Sequence, residues 1–121
     1  MQWKCATLSV AIAVVAAGAA QAQQSAQTFR LSKNPSNIGP CTQLDAAMGR
    51  EHTVAPAGDR AVLTFPGGTP QNMQQTSPGM YRAQFSLGRV TVEFVADLSK
   101  SPKTLEAREA REGCRWSGTA P

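Results

Sequence analysis

Met80-Tyr81-Arg82-Ala83-Gln84-Phe85-Ser86-Leu87-Gly88-Arg89-Val90-Thr91-Val92-Glu93-Phe94-Val95-Ala96-Asp97-Leu98 reads as two strands and the turn between them. In its first half Tyr81, Ala83, Phe85 and Leu87 alternate with Arg82, Gln84 and Ser86. In its second half Val90, Val92, Phe94, Ala96 and Leu98 recur at every other position. Successive side chains of a strand point to opposite faces, so each half has one apolar face to bury, and in the first half the other face is polar throughout. Gly88-Arg89 supplies a tight reversal of the Gly-X type. The hairpin sets the fold class as mainly β (α+β), a small antiparallel sheet or barrel-like meander.

On the N-terminal side of this hairpin, Arg60 to Phe65 forms another strand pattern between the turn signals Pro56-Ala57-Gly58-Asp59 and Pro66-Gly67-Gly68. Gln71 to Pro78, with Asn, Gln, Thr and Ser around Met73, reads as a polar loop joining two strand regions. Thr42 followed three residues later by Asp45 is close to a capping box, and Gly49 can end the turn. A short helix over Gln43–Met48 follows, with Leu44 and Met48 sharing a face. Phe29 and Leu31 alternate with Thr28, Arg30 and Ser32 as in a short edge strand, while Gln23–Gln27 and Lys33–Pro40 read as irregular.

The C-terminal part supports two readings. Ser101 as N-cap, Pro102 at the first helical position, Glu and Arg pairs across Leu105–Glu112 and Gly113 as terminator describe a C-terminal helix. Only Leu105, Ala107 and Ala110 offer such a helix anything to bury, so a final strand running back toward Cys114 and Trp116 is the alternative. Ser117–Pro121 is expected to fray.

The start of the chain resembles an export signal: Lys4 after Met1, an apolar run from Cys5 to Ala17, and Ala20-Gln21-Ala22 as a small-x-small cleavage pattern. The run is shorter than the roughly 20 apolar residues that a spanning helix needs. Cys5 stands at the start of the apolar run and not at its end, where a lipoprotein cysteine belongs. The organisation read from these signals is a cleaved leader over residues 1–22, a flexible segment over 23–40, one disulfide-closed domain over 41–116 and a frayed tail over 117–121. Cleavage leaves roughly 100 residues, the size of one small domain. Cys41 and Cys114 are then the remaining cysteines, and in an oxidising compartment they are expected to pair.

Composition and motifs exclude several kinds of chemistry. The net charge of +4 is scattered rather than gathered in a stripe with stacking aromatics, so nucleic acid is not an expected partner. His52 is the single histidine, and no serine stands in a G-x-S-x-G elbow, against a serine hydrolase. Glu93 and Asp97 lie on the outward side of their strand, where acids are ordinarily solvated. Pro66-Gly67-Gly68-Thr69 lacks the lysine of a phosphate loop, and zinc-type Cys and His spacings are absent. Soft thioether sulfurs with an imidazole suit Cu(I), for which Met48, His52, Met73 and Met80 form the candidate set.

Ser77-Pro78-Gly79-Met80-Tyr81, followed by Phe85 and Gly88-Arg89, resembles the inhibitors of C-type lysozyme. In that family a serine-glycine-tyrosine loop and a later lysine-glycine turn insert into the enzyme's cleft, and Ser77 and Arg89 are the counterparts here. Pro78 interrupts the serine-glycine step, and Leu87 stands where the lysine belongs. The expected function is that of a small exported, non-enzymatic domain, binding or structural in the cell envelope, without cofactor or lasting membrane anchor. Its candidate contacts to a protein or envelope partner are Ser77, Tyr81, Arg82 and Arg89. Lysozyme inhibition and Cu(I) binding are the alternatives.

Overall fold

The structure, a computed structural model, describes residues 25–121. The leader over 1–22, with Cys5, lies outside the described residues. Nine strands form one antiparallel sheet: β1 (Gln27–Arg30), β2 (Ser32–Lys33), β3 (Glu51–Ala57), β4 (Arg60–Thr64), β5 (Pro70–Ser77), β6 (Met80–Leu87), β7 (Val90–Asp97), β8 (Lys103–Glu109) and β9 (Cys114–Ala120). From β3 to β9 each strand pairs with the next in sequence. The two ends of this meander meet on one piece of chain. β1 pairs with β3 and β2 pairs with β9, with only Leu31 between them. The sheet is thereby rolled into a nearly closed barrel with its apolar face inside.

The β6–β7 hairpin has the register its alternation requires, from Met80↔Asp97 to Leu87↔Val90. Gly88 opens its turn at φ +65°, a backbone region that only glycine enters without strain. Inside the barrel, large rings face alanines across the strands. Tyr81 pairs with Ala96, Phe94 lies between Ala83 and Ala107, and Ala107 also faces Trp116. All of these are buried. Alternating large and small residues fills a narrow barrel without overpacking it.

A 3-10 turn (Gly39–Cys41) and a short helix, α1 (Thr42–Met48), follow β2. Asp45 does not act as part of a capping box. Its carboxylate accepts a 2.8 Å hydrogen bond from the indole Nε1 of buried Trp116, which ties the helix to β9. The Cys41–Cys114 disulfide is formed and joins residues 73 apart in sequence. By the chain-entropy account such a bridge contributes about 4 kcal/mol.

Three expectations are corrected. Residues Lys103–Glu109 form a strand and not a helix. Leu105, Ala107 and Glu109 are buried while the residues between them are not, and the strand pairs with neighbours on both sides, so barrel closure overrides the local helix signals. Gln71–Pro78 is mostly strand β5 rather than loop, because Met73 enters the core and its neighbours Asn72 and Gln74 lie on the outer face. Among the described residues, 27–30, 32–33 and 117–120 are strand rather than flexible segment and frayed tail. β1, β2 and the end of β9 belong to the sheet, and Phe29, Leu31 and Ala120 are buried.

The seam depends on one close approach. Gly118 in β9 lies against the backbone of Arg30, and a Cβ there would stand 2.5 Å from the Arg30 carbonyl oxygen. Gly118→Ala is therefore expected to lower stability by about 1–3 kcal/mol, the usual cost of overpacking, read as a lower midpoint in urea unfolding. Asp45→Ala leaves the Trp116 N–H buried without an acceptor and is expected to cost about 1–3 kcal/mol in the same measurement.

Candidate functional site

The strand register gathers arginines that the sequence holds apart. On the outer face of the barrel Gln84, Glu93, Arg108 and Arg115 form a row across β6, β7, β8 and β9, each directly opposite the next. Arg89, in the β6–β7 turn, and Arg111, in the β8–β9 turn, line the same groove, whose volume is about 690 Å³. Arg108 pairs with Glu106 beside it on β8. Among the described residues no carboxylate pairs with Arg89, Arg111 or Arg115, and all three side chains are exposed. Arg108 and Arg115 are thus like charges directly opposite one another, an arrangement that destabilises a strand pair.

Two local devices hold this groove in shape. The buried carboxylate of Glu109 accepts the backbone N–H groups of Arg111 (2.6 Å) and Glu112 (2.8 Å), fixing the turn that carries Arg111. Asn37 brackets the backbone of Arg115, accepting its N–H through Oδ1 and donating from Nδ2 to its carbonyl, both at 2.9 Å. The guanidiniums are long and free to adapt, but the backbone that presents them is pinned.

A second pocket, about 430 Å³, opens where α1 meets the barrel, and Met48, His52, Phe65 and Phe85 line it. His52 is fully buried. Its Nδ1 lies 3.0 Å from the Arg50 carbonyl oxygen, which can only accept, so the ring proton belongs on Nδ1. Nε2 is left as a bare acceptor with no hydrogen-bond partner. A buried polar atom in that condition costs about 1–3 kcal/mol. The imidazole sits among aromatic rings, 5.8 Å from Phe65 edge-on and 5.5 Å from Phe94 between centroids.

Comparison with protein-family models, with curated proteins and with solved structures gives no match. The functional reading therefore rests on the residues and their placement.

The structure divides the candidate residues. Ser77 closes β5 and Arg89 follows β6, so the whole length of β6, roughly 26 Å at the usual strand rise, separates the two counterparts of the lysozyme-inhibitor resemblance. Tyr81 is buried and its hydroxyl donates to the Gly58 carbonyl at 3.1 Å, so it closes one end of the barrel and is not presented to a partner. Arg82 is exposed and pairs with Glu93 at 3.4 Å. Of the copper set, Met48 and His52 share a pocket, whereas Met73 lies opposite Ala61 further along the barrel and Met80 begins β6. Among the described residues no group of three or more His, Cys, Asp or Glu is placed to hold a metal. Glu93 and Asp97 do not form an acid pair. Glu93 answers Arg82, while Asp97 accepts from the Ser99 hydroxyl and N–H, which, with Lys100, hold its pKa below the ordinary value.

Burial pushes the pKa of His52 below its ordinary 6.5, with the Arg50 carbonyl opposing the shift only in part. Between the folded and unfolded values the unfolded chain binds more protons, so stability rises with pH there. The His52 contribution is fully present above 6.5 and is lost as pH falls from 6.5 through the depressed folded value. Urea titrations at pH 7.5 and at pH 5 are expected to show this loss, and His52→Phe, which keeps an aromatic ring and removes the proton site, is expected to flatten it.

Proposed function

We propose that this chain is an exported, non-enzymatic binding domain of the periplasm or cell surroundings, and that it docks an acidic protein surface into the groove of Arg89, Arg108, Arg111 and Arg115. The observation that carries this reading is the cross-strand pair of Arg108 and Arg115. A fold selected for stability alone gains nothing from two like charges face to face, whereas an anionic partner turns that cost into affinity. Guanidiniums carried on two turns and two strands suit an extended run of carboxylates better than a single compact anion. The leader-like sequence and the Cys41–Cys114 disulfide both support an oxidising compartment outside the cytosol.

The role is binding rather than catalysis because the residues with chemical potential are already engaged. The two half-cystines are bonded to each other, Glu109 caps a turn, and Asp97 is held by Ser99. In the groove itself, among the described residues, the unpaired charges are the guanidiniums of Arg89, Arg111 and Arg115.

The test is Arg115→Glu. It replaces the like-charge pair by a cross-strand ion pair with Arg108, so stability is expected to rise by about 0.2–1 kcal/mol. Affinity for an immobilised glutamate-rich peptide is expected to fall by roughly tenfold and to depend less steeply on salt. Adding Arg89→Glu and Arg111→Glu should remove the binding altogether. Peptide binding that survives all three reversals overturns the proposal.

A further inference from the structure

The arginine groove leaves His52 unexplained. It is a fully buried imidazole with one nitrogen unused, and it lies on the wall of a pocket with no part in the groove. A core position between Phe29 and Phe65 asks for an apolar ring. β1 places Phe29 directly opposite His52, and the Phe65 ring packs edge-on against it. Phenylalanine would meet that demand with no orphaned atom. Histidine there provides two things phenylalanine lacks, an Nδ1–H donor to the Arg50 carbonyl and an acceptor inside an aromatic cage, and only the first of them is used within the chain's described residues.

We infer that the pocket between α1 and the barrel is a binding site for a small, planar aromatic molecule carrying one hydroxyl or ring N–H donor, a phenol or an indole, which donates to Nε2 of His52. The inference is independent of the acidic partner. The Nδ1 hydrogen bond to Arg50 places the ring proton away from Nε2, so that atom can accept and cannot donate. The depressed basicity of the buried ring keeps it neutral at neutral pH, which keeps the acceptor available. A volume of about 430 Å³ is in the range of small-molecule sites. Phe65, Phe85 and the Met48 thioether supply the apolar and aromatic walls that a planar ring packs against.

The pocket is open to solvent but Nε2 is not exposed in it, and the ring that lies edge-on to the imidazole is Phe65, so the ligand reaches Nε2 by displacing Phe65. That ring is only half-buried and its neighbours on the pocket rim include Pro66 and Thr69, at the turn before β5. Phe85 packs against it at 4.6 Å and is itself half-buried. The two rings therefore form the movable wall, and Phe94, fully buried, packs behind them outside the pocket. Cu(I) is the competing occupant. Met48 is the only sulfur donor on the pocket wall, and Met73 and Met80 lie elsewhere, which leaves a copper ion with two protein ligands.

The experiment measures phenol, indole and toluene binding to the oxidised protein by calorimetry, together with the imidazole nitrogen resonances of His52. Phenol and indole are expected to bind roughly tenfold more tightly than toluene, the increment of one hydrogen bond. On addition of phenol the Nε2 resonance should move in the direction of an accepted hydrogen bond, while Nδ1 stays protonated. His52→Phe is expected to erase the preference for phenol over toluene, and Phe85→Trp, which fills the pocket, to weaken both. The nitrogen resonances test the proposal in the unmodified protein should either variant fold poorly. Equal affinity for phenol and toluene, an unmoved Nε2 resonance, or Cu(I) uptake that phenol does not displace and Met48→Leu abolishes, overturns it.

Discussion

Seven residues of chain hold the two edges of the sheet together. Gln27–Lys33 pairs with β3 on one side and β9 on the other, and without it both would be open strand edges, the common route to misassociation. Everything else at the seam converges on β9. Cys114 begins it and is bonded to Cys41, Trp116 reaches Asp45 on the helix, and Gly118 admits the Arg30 backbone. Three unlike interactions, one covalent, one polar and one steric, therefore fix the same strand within five residues. Hydrogen bonding alone could let β2, only two residues long and exposed on both faces, slip in register, whereas the neighbouring Leu31 would leave the core in any such slip.

Both surface features follow from that closure. The arginine groove needs β8 and β9 in register, because Arg108 and Arg115 face each other only when Glu109 is opposite Cys114. The His52 pocket needs the helix held against the barrel mouth, where Met48 covers one side of it. The disulfide and the Asp45–Trp116 bond supply that hold. The alanines that face Tyr81, Phe94 and Trp116 let these rings fill the interior in staggered layers. Around His52 rings also stand against rings, Phe65 against the imidazole and against Phe85.

Much of the architecture was legible in residues 80–98, where strict alternation around Gly88 leaves one physical solution. The short helix and the disulfide were legible too, the first from Leu44, Met48 and Gly49, the second from counting sulfurs outside the leader-like segment. The C-terminal strand was not, since Glu106, Arg108 and Glu112 have helix-forming side chains, and only the neighbours on both sides make a strand the better state. β5 was hidden by its composition: with Met73 as the one large apolar residue, the segment shows no period. The arginine groove could not be read from the chain because it depends on cross-strand register, although Arg111 and Arg115 around Gly113 would have suggested a turn with charged flanks. Asp45 looks in the sequence like part of the helix start, whereas the indole that claims its carboxylate lies 71 residues away.

The seam also sets the order in which the sheet can assemble. From β3 to β9 successive strands are neighbours and can zip as hairpins, since those contacts are local. β2 and β9 are far apart in sequence, as are Cys41 and Cys114, so the ring shuts only after the meander has brought them together. Loss of β9 would leave β2 without a strand partner and Cys41 with a lone thiol, so a single strand is the latch of the whole barrel.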